Sequence, residues 1–406
     1  MRIAVYSHYF VPEIGAPSAR IHDLGREWVA AGESVHVATC FPNHPTGRLY
    51  PGYRSRFYAH EVIDGIDVHR HWTYITPNKG FVKKTIGHVS LMPASWLAAR
   101  RMPRPDVIIG TSPTFFAAIA AERVAAARGV PFVMEVRDLW PAVFVELGVL
   151  RNRALVRILE RIELWLYRRA ARVVTVTESF REDLIRRGVP PEKVVTIPNG
   201  ANLSFWDARR DDGGLRDRLG LQGRFVALYI GAHGISQALR AVLAAAAALR
   251  DDPRVVILFV GEGAEKEQLV ARAAAEKLDN VRFLDPVGKD EVKQFYAMAD
   301  ACLVPLRDIP LFDTFIPSKM FEMLAMARPV VASVRGEAAA ILRDSGGALV
   351  VDPEDSAAIA AALRRLADDP ALGERMGAAG RAFVAEHYGR TKLARRYLEV
   401  LREAQR

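Results

Sequence analysis

Eleven short apolar runs, each bounded by turn residues and separated by helix-length segments, punctuate this chain in two series. The first series comprises residues 2–7, Ser34–Cys40, Val107–Thr111, Phe132–Val136 and residues 172–177. The second comprises Phe225–Ile230, Val255–Val260, Val281–Leu284, Ala301–Pro305, residues 330–332 and residues 348–350. Runs of this length without polar alternation fit strands buried on both faces, and their alternation with helices predicts βαβ units on parallel sheets. An α/β chain with two doubly wound domains is therefore expected. The stretch IPNGANLSFWDARRDDGG, residues 197–214, gathers Pro, Asn, Gly and charge in the manner of a domain boundary. The expected division is 1–198 and 199–384, with a C-terminal helix of about 385–406 packing back on the first domain. Ligands of such sheets bind at the carboxyl ends of the strands, where two facing domains would enclose a cleft.

The length, 406 residues, agrees with two or three domains. Cys40 and Cys302 lie too far apart in sequence to suggest a disulfide framework or a metal-ligand cluster. The first residues enter a strand pattern without the layout of a secretory signal, and no run of about 18 apolar residues follows. A cytoplasmic chain that neither crosses a membrane nor is exported is the expectation.

Two strand-to-helix turns invite an anionic ligand. In SHYFVPEIGAPSAR, Gly15 and Ala16 open a helix whose free N–H groups would face the cleft, with Ser18 as a possible cap. In YIGAHGIS, Gly231 and Gly234 permit close backbone approach, His233 adds a polar group, and Ser236 would cap a helix over residues 237–249. VGEGAEKEQL, with Gly261, is a further Gly-rich turn and reads as a tight turn that at most walls a nucleotide pocket.

PSKMFEMLAMARPVVAS carries the most information. Pro317 suits a first helical position, whereas Lys319 in the first turn opposes the helix dipole, a local violation that points to function. Lys319 and Glu322 share a helix face, where an ammonium meets phosphate and a carboxylate accepts ribose hydroxyls. EVRDLWP places Arg137 and Asp138 at the carboxyl end of a strand, Arg137 as an anion clamp and Asp138 as an acceptor-orienting or basic group; an internal Arg–Asp pair is the competing reading.

The net charge of +9 asks for an anionic partner. Arginines interleave with apolar residues in segment 151–174 (Arg151, Arg153, Arg157, Arg161, Arg168, Arg169, Arg172), and a second basic segment, 80–105, holds Lys83, Lys84, Arg100, Arg101 and Arg104. Amphipathic basic segments read as membrane-surface contacts, with a solvated helix face as the competing reading. No zinc-finger, basic-zipper or RNA-binding signature supports nucleic acid.

Together, MRIAVYSHYFVPEIGAPSAR, FPNHPTG, EVRDLWP, VVTIPNGANLSFW, YIGAHG, VGEGAEKEQL, PSKMFEMLAMARPVVAS and RAFVAEHYGRTKLARRYLEVL resemble the retaining nucleotide-sugar glycosyltransferases of family 4, which have the two-Rossmann GT-B fold. PSKMFE, EVRDLWP and FPNHPTG look most like the branch of colanic-acid, O-antigen and capsule transferases that includes fucosamine-transferase-like proteins. The resemblance implies an acceptor-binding first domain and a donor-binding second one, with Gly15, Ala16, His233, Gly234, Gly261, Val287, Pro317, Ser318, Lys319 and Glu322 around the donor and Asp138, Arg137 and Lys319 at the reacting centre. Three departures stand out. Thr314 occupies the place of the first glutamate of the family's acidic pair, Glu322 being the second. Ala232 and Ala238 lie where an arginine and a lysine usually clamp phosphate, and Arg137 replaces a cleft histidine. Lys319, the helix start at Pro317 and Ser318, and the turn at His233 and Gly234 are expected to substitute for the clamp.

The implied activity is transfer of a sugar from a UDP- or GDP-linked donor to a polyprenyl-diphosphate-linked or other surface-polysaccharide acceptor, without cofactor or metal, at the inner face of the plasma membrane. A sugar-nucleotide epimerase of the same fold and a non-catalytic subunit of a polysaccharide assembly complex are the alternatives.

Overall fold

The computed structural model describes residues 1–13, 15–44, 46–76, 81–112, 114–146, 148, 150–209 and 211–406, with the side chains of residues 81–85 and His88 outside the description. The chain divides into two compact units, residues 1–198 with 390–406, and residues 199–389.

The first unit is built on β1 (Arg2–Tyr6), β2 (Ser34–Cys40), β3 (Tyr58–Ile63), β4 (Ile66–His71), β5 (Val107–Thr111), β6 (Phe132–Val136), β7 (Arg172–Thr175) and β8 (Val194–Thr196). Among the described residues these form one sheet in the order β3-β4-β2-β1-β5-β6-β7-β8, parallel except for β3 against β4. Its central strands are buried along nearly their whole length, as their Val/Ile-rich runs require. Three strands have no counterpart among the apolar runs. β3 and β4 form an edge hairpin, YAHEVI and IDVHRH, in which polar and apolar residues alternate, and β8 is only three residues long. β7 stops at Thr175 rather than 177 because the Thr177 hydroxyl accepts from Phe180 N–H at 3.0 Å and caps the helix Glu178–Arg186.

The C-terminal helix Arg390–Glu403 belongs to this unit and packs on the helix Ala16–Ala30. Trp28 fastens it, with its indole N–H donating to the Ala394 carbonyl at 3.1 Å and its ring edge-on to Tyr397 at 5.4 Å. The division falls after Gly389, not at 384, because the preceding helix Pro370–His387 runs unbroken and stays with the second unit.

The second unit holds β9 (Phe225–Ile230), β10 (Val255–Val260), β11 (Val281–Leu284), β12 (Ala301–Pro305), β13 (Val330–Ser333) and β14 (Ala348–Val351), all parallel in the order β11-β10-β9-β12-β13-β14. The strand order reverses between β9 and β12, so their carboxyl-terminal loops flank the switch point where ligands of open parallel sheets bind. Arg307 N–H donates to the Ser236 carbonyl at 3.1 Å and ties these two loops together. In the first unit the equivalent position lies between β1 and β5.

Candidate active site

In the second unit the loop after β9 is clamped from below. Gly261, at the end of β10, is buried with φ +142°, and a Cβ there would lie 2.0 Å from the Gly231 carbonyl oxygen. His233 N–H donates to the Glu262 carbonyl at 2.8 Å, and the His233 carbonyl accepts from Glu265 N–H at 2.9 Å. Gly261 thus serves the packing of two loops. The imidazole of His233 is fully buried among the rings of Tyr229, Phe259 and Phe283, at centroid distances of 5.8, 6.2 and 6.4 Å. Burial, reinforced by the Lys266 charge, holds its pKa down at about 4, so it is neutral at pH 7. Its ring is therefore not placed to replace a phosphate clamp, contrary to the expectation from YIGAHG.

Ser236 caps no helix either. A 3-10 turn, Ile235–Gln237, leads to Ala238 at φ +45°, and the helix begins only at Leu239. Ser18 likewise lies inside the helix that Gly15 opens, buried rather than capping. Gly15 and Ala16 are exposed at that helix start. Val287 is half-buried in the loop before the helix Lys289–Met298, and Gly234 is half-buried ahead of the 3-10 turn.

Lys319 is where the geometry converges. It is the first residue of the seven-residue helix Lys319–Ala325, so Pro317 lies two residues before the helix rather than at its first position, and Ser318 occupies the cap position. The Asn199 side-chain amide donates to the Ser318 hydroxyl at 2.8 Å. The ammonium of Lys319 lies 3.9 Å from the centroid of the ring of Tyr229, on β9 just before Gly231. Tyr229 is itself fixed, its hydroxyl donating to the Ala232 carbonyl at 2.6 Å. Burial lowers the Lys319 pKa to about 7, opposed by Cys302 and Glu322. One turn on, Glu322 accepts from the buried Tyr296 hydroxyl at 3.4 Å. The structure therefore brings Lys319 to the loop after β9 and sets Glu322 one turn on, against Tyr296. The Thr314 hydroxyl donates to the Leu311 carbonyl at 2.7 Å inside a 3-10 turn.

In the first unit β6 delivers Glu135, Arg137 and Asp138. Glu135 is buried and accepts from Arg20 Nε at 3.1 Å and Thr111 Oγ1 at 3.0 Å; burial alone would raise its pKa, but the charges of Arg20 and Arg137 bring it below the usual value. The Ser112 hydroxyl accepts from the backbone N–H groups of Arg137 and Asp138, at 2.7 and 3.3 Å, and sets the turn. Arg137 is buried, with no hydrogen-bond partner at Nε or Nη1 among the described residues, and its pKa is pulled down to about 10. Asp138 is half-buried, and desolvation raises its pKa to about 6 against the attraction of Arg137.

Glu13, Ser112, Asn199, Tyr229 and Tyr296 were not singled out by residue type. Glu13 shows why. Its buried carboxylate accepts the N–H groups of Asn43 and His44, at 2.7 and 2.8 Å, and so shapes the FPNHPTG loop. Nothing in PEIG announces that distant partner.

Residues 15–200 match the Glycosyl transferase 4-like domain and residues 224–369 match Glycosyl transferases group 1. The chain belongs to the family 4 glycosyltransferases. It is 27% identical over 377 residues to WcaI of Escherichia coli (strain K12), a protein named for glycosyl transfer in colanic acid biosynthesis, covering 90% of this chain and 92% of that one. Its fold is GT-B. Sucrose-phosphate synthase from Thermosynechococcus elongatus superposes with a TM-score of 0.78 at 20% identity, covering 99% of this chain and 98% of that one. Anabaena Alr3699/HepE in complex with UDP and glucose gives 0.74 at 17%, covering 99% of both chains. This glycosyltransferase contains, among its described residues, no helix long and apolar enough to cross a membrane.

Proposed function

We propose that this glycosyltransferase moves a sugar, with retention at the anomeric carbon, from a UDP- or GDP-linked donor to a lipid-linked or surface-polysaccharide acceptor. The observation that carries the reading is Lys319, an ammonium held at the sheet switch point against the Tyr229 ring without a carboxylate of its own among the described residues. A cation desolvated in this way gains most from a ligand that brings negative charge, and a diphosphate is the group that a nucleotide sugar brings. The fold neighbour solved with UDP and glucose and the relative named for colanic acid support the same reading.

In this reading Lys319 stabilises the departing diphosphate and Glu322 accepts ribose hydroxyls. Val287, Gly234, Pro317 and Ser318 border the donor in the second unit, and in the first unit Gly15 and Ala16 offer a helix start to an anionic group. Asp138 and Arg137 serve the acceptor. No protein nucleophile is required if donor phosphate assists deprotonation of the acceptor, so the protein contributes positioning and electrostatic stabilisation. No cofactor or metal is invoked for this step.

The acceptor side is also the side that would meet an anionic membrane. On the helix Arg153–Arg169, Arg153, Arg157, Arg161 and Arg168 are exposed beside Leu155 and Ile158. At the end of the helix Phe81–Ala99, Trp96 and Leu97 are exposed ahead of Arg100, Arg101 and Arg104. Lys83 and Lys84 fall outside the described side chains. Exposed apolar residues rimmed by arginine suit a peripheral, salt-sensitive attachment at the inner membrane face.

The test is a thermal-shift panel of nucleoside diphosphates and nucleotide sugars, followed by transfer from the best donor to polyprenyl-diphosphate-linked acceptors in anionic vesicles. Selective stabilisation by one nucleotide and an anomerically retained product are expected. Failure of every nucleotide to bind, or epimerisation of the donor without acceptor, overturns the reading.

A further inference from the structure

Lys319 differs from other lysines of this chain in what its side chain meets. Lys266 is held by Glu262 Oε2 at 3.3 Å and Asp285 Oδ1 at 3.0 Å, and Lys293 by Asp207 Oδ1 at 2.8 Å. The Lys193 ammonium donates to the carbonyls of Arg168 and Ala170, both at 3.1 Å. Lys277 is exposed to water. Lys319 is half-buried, stands over the Tyr229 ring at 3.9 Å, and pairs with no carboxylate or carbonyl among the described residues.

A primary amine in that setting gives up hydration without gaining a counter-charge, which disfavours its charged form. Its pKa of about 7 leaves about half of the amine neutral at pH 7, with a lone pair able to attack. A fully solvated lysine has less than about one part in 10³ neutral at that pH. The nitrogen is also approachable from one side. Gly231 carries no side chain, and a Cβ there would lie 3.4 Å from Lys319 Nζ and 3.6 Å from the Tyr229 hydroxyl. A methyl-sized space therefore adjoins the amine on the loop after β9.

We propose that Lys319 is an acylation site that takes the acyl group of a small acyl phosphate, and that its acylation switches off donor binding. The switch rests on the role proposed above for Lys319 toward the diphosphate; the acylation does not. In the reaction the Nζ lone pair adds to the acyl carbon, and the bond from that carbon to the phosphate oxygen breaks with its electron pair leaving on the phosphate. One amine proton passes to the released phosphate, so the products are an amide and hydrogen phosphate. No oxidant or further reactant takes part. An acyl phosphate suits this residue better than a thioester, because the ammonium form attracts the phosphate anion to the loop and the neutral form then attacks. The amide carries no charge, so the attraction for a diphosphate is lost. Arginine, which supplies most of the basic residues of this chain, would stay charged and unreactive at this position.

The experiment incubates the full chain at pH 7 with acetyl phosphate and, in parallel, with acetyl-coenzyme A at the same concentration, and follows each lysine by peptide mass spectrometry. Lys319 is expected to be acetylated by acetyl phosphate roughly 10- to 100-fold faster than Lys277, and faster than by the thioester. From pH 6 to 9 the rate at Lys319 should level off above about 7, whereas the rate at solvated lysines keeps rising. The nucleoside diphosphate selected by the thermal-shift panel should protect Lys319, and the acetylated protein should bind it at least about 10-fold more weakly. Lys319→Arg should remove this label and leave the labelling of the other lysines as in wild type. Labelling of Lys319 no faster than that of Lys277, or a faster reaction with the thioester, overturns the proposal. Selective labelling with unchanged nucleotide affinity overturns the switch and leaves the acylation site standing. If the unmodified protein binds no nucleotide, the donor reading falls, and the labelling rates still decide the acylation site.

Discussion

The Lys319 ammonium rests 3.9 Å from the centroid of the Tyr229 ring. An aromatic face stabilises a cation without neutralising it, so Lys319 is a charge kept available, with a pKa that burial brings to about 7. A diphosphate bound beside it requires the ammonium form. Nucleoside-diphosphate affinity is therefore expected to fall as pH rises above 7, by up to about tenfold per pH unit, the limit for one linked proton. The stability of the unliganded protein has the opposite sign. Lys319 titrates at about 7 folded and at 10.5 unfolded, so the unfolded chain binds the extra proton in that window and the folded state gains stability as pH rises through it. Calorimetry from pH 6 to 9 should show the affinity slope in wild type and a flat profile in Lys319→Arg. A sloping profile in Lys319→Arg would assign the effect to another group.

Asp138 predicts the acid limb. Its pKa is raised to about 6 by desolvation, and a carboxylate that orients or deprotonates an acceptor hydroxyl must be ionised. kcat/KM is then expected to drop about tenfold per pH unit below 6, and Asp138→Asn to lower it by about 10²–10⁴-fold. Donor affinity should be unchanged in that variant. A pH profile that keeps its acid limb in Asp138→Asn would remove Asp138 from the chemistry.

Much of this was legible in the sequence, and the exceptions share a cause. The eleven apolar runs became strands because a short apolar run bounded by turns needs no partner-specific information beyond its own side chains, even where, as in β11 and β14 at the sheet edges, it is only half-buried. β3 and β4 escaped notice because an edge hairpin alternates, and its histidines look like surface residues until His36 of β2 is set beside them. At the site, Lys319 announced itself by standing at the wrong end of a helix. His233 read as a ligand group because its sequence neighbours are glycines, whereas its surroundings are Phe259 and Phe283, which arrive from other strands. Composition around a residue shows what the backbone can do there, not what the side chain touches.

That correction for His233 has its own consequence. Its pKa is near 4 in the folded protein against 6.5 unfolded, so the unfolded chain takes up a proton first as pH falls. Stability is expected to decline between pH 6.5 and 4, with His233 accounting for at most about 3 kcal/mol at the acid end. His233→Phe keeps an aromatic ring in the aromatic cluster and removes the titrating group. Chemical denaturation at pH 7 and pH 5 should show a smaller pH-dependent loss in His233→Phe than in wild type, and equal losses would show that the ring is not the group responsible.

Beneath His233, Gly261 carries the geometry of the loop. A Cβ at this position would meet the Gly231 carbonyl oxygen at 2.0 Å, and φ +142° is a backbone conformation that side chains rarely adopt. Both effects act in the same direction, so Gly261→Ala is expected to destabilise the protein by about 2–4 kcal/mol. The movement that relieves the contact displaces Gly231, above which the Lys319 ammonium sits, 3.4 Å from where a Gly231 Cβ would lie. Gly261→Ala should therefore weaken nucleotide binding without touching the nucleotide, and the loss should track the lower melting temperature. Gly129 provides the contrast: it also has positive φ, but a Cβ there would meet nothing within 4 Å. Gly129→Ala should incur only the conformational strain, about 1 kcal/mol, and leave nucleotide affinity intact. If thermal melts and calorimetry show the two alanine variants to be alike in both stability and affinity, the packing of the β9 and β10 loops is not what sets the position of Lys319.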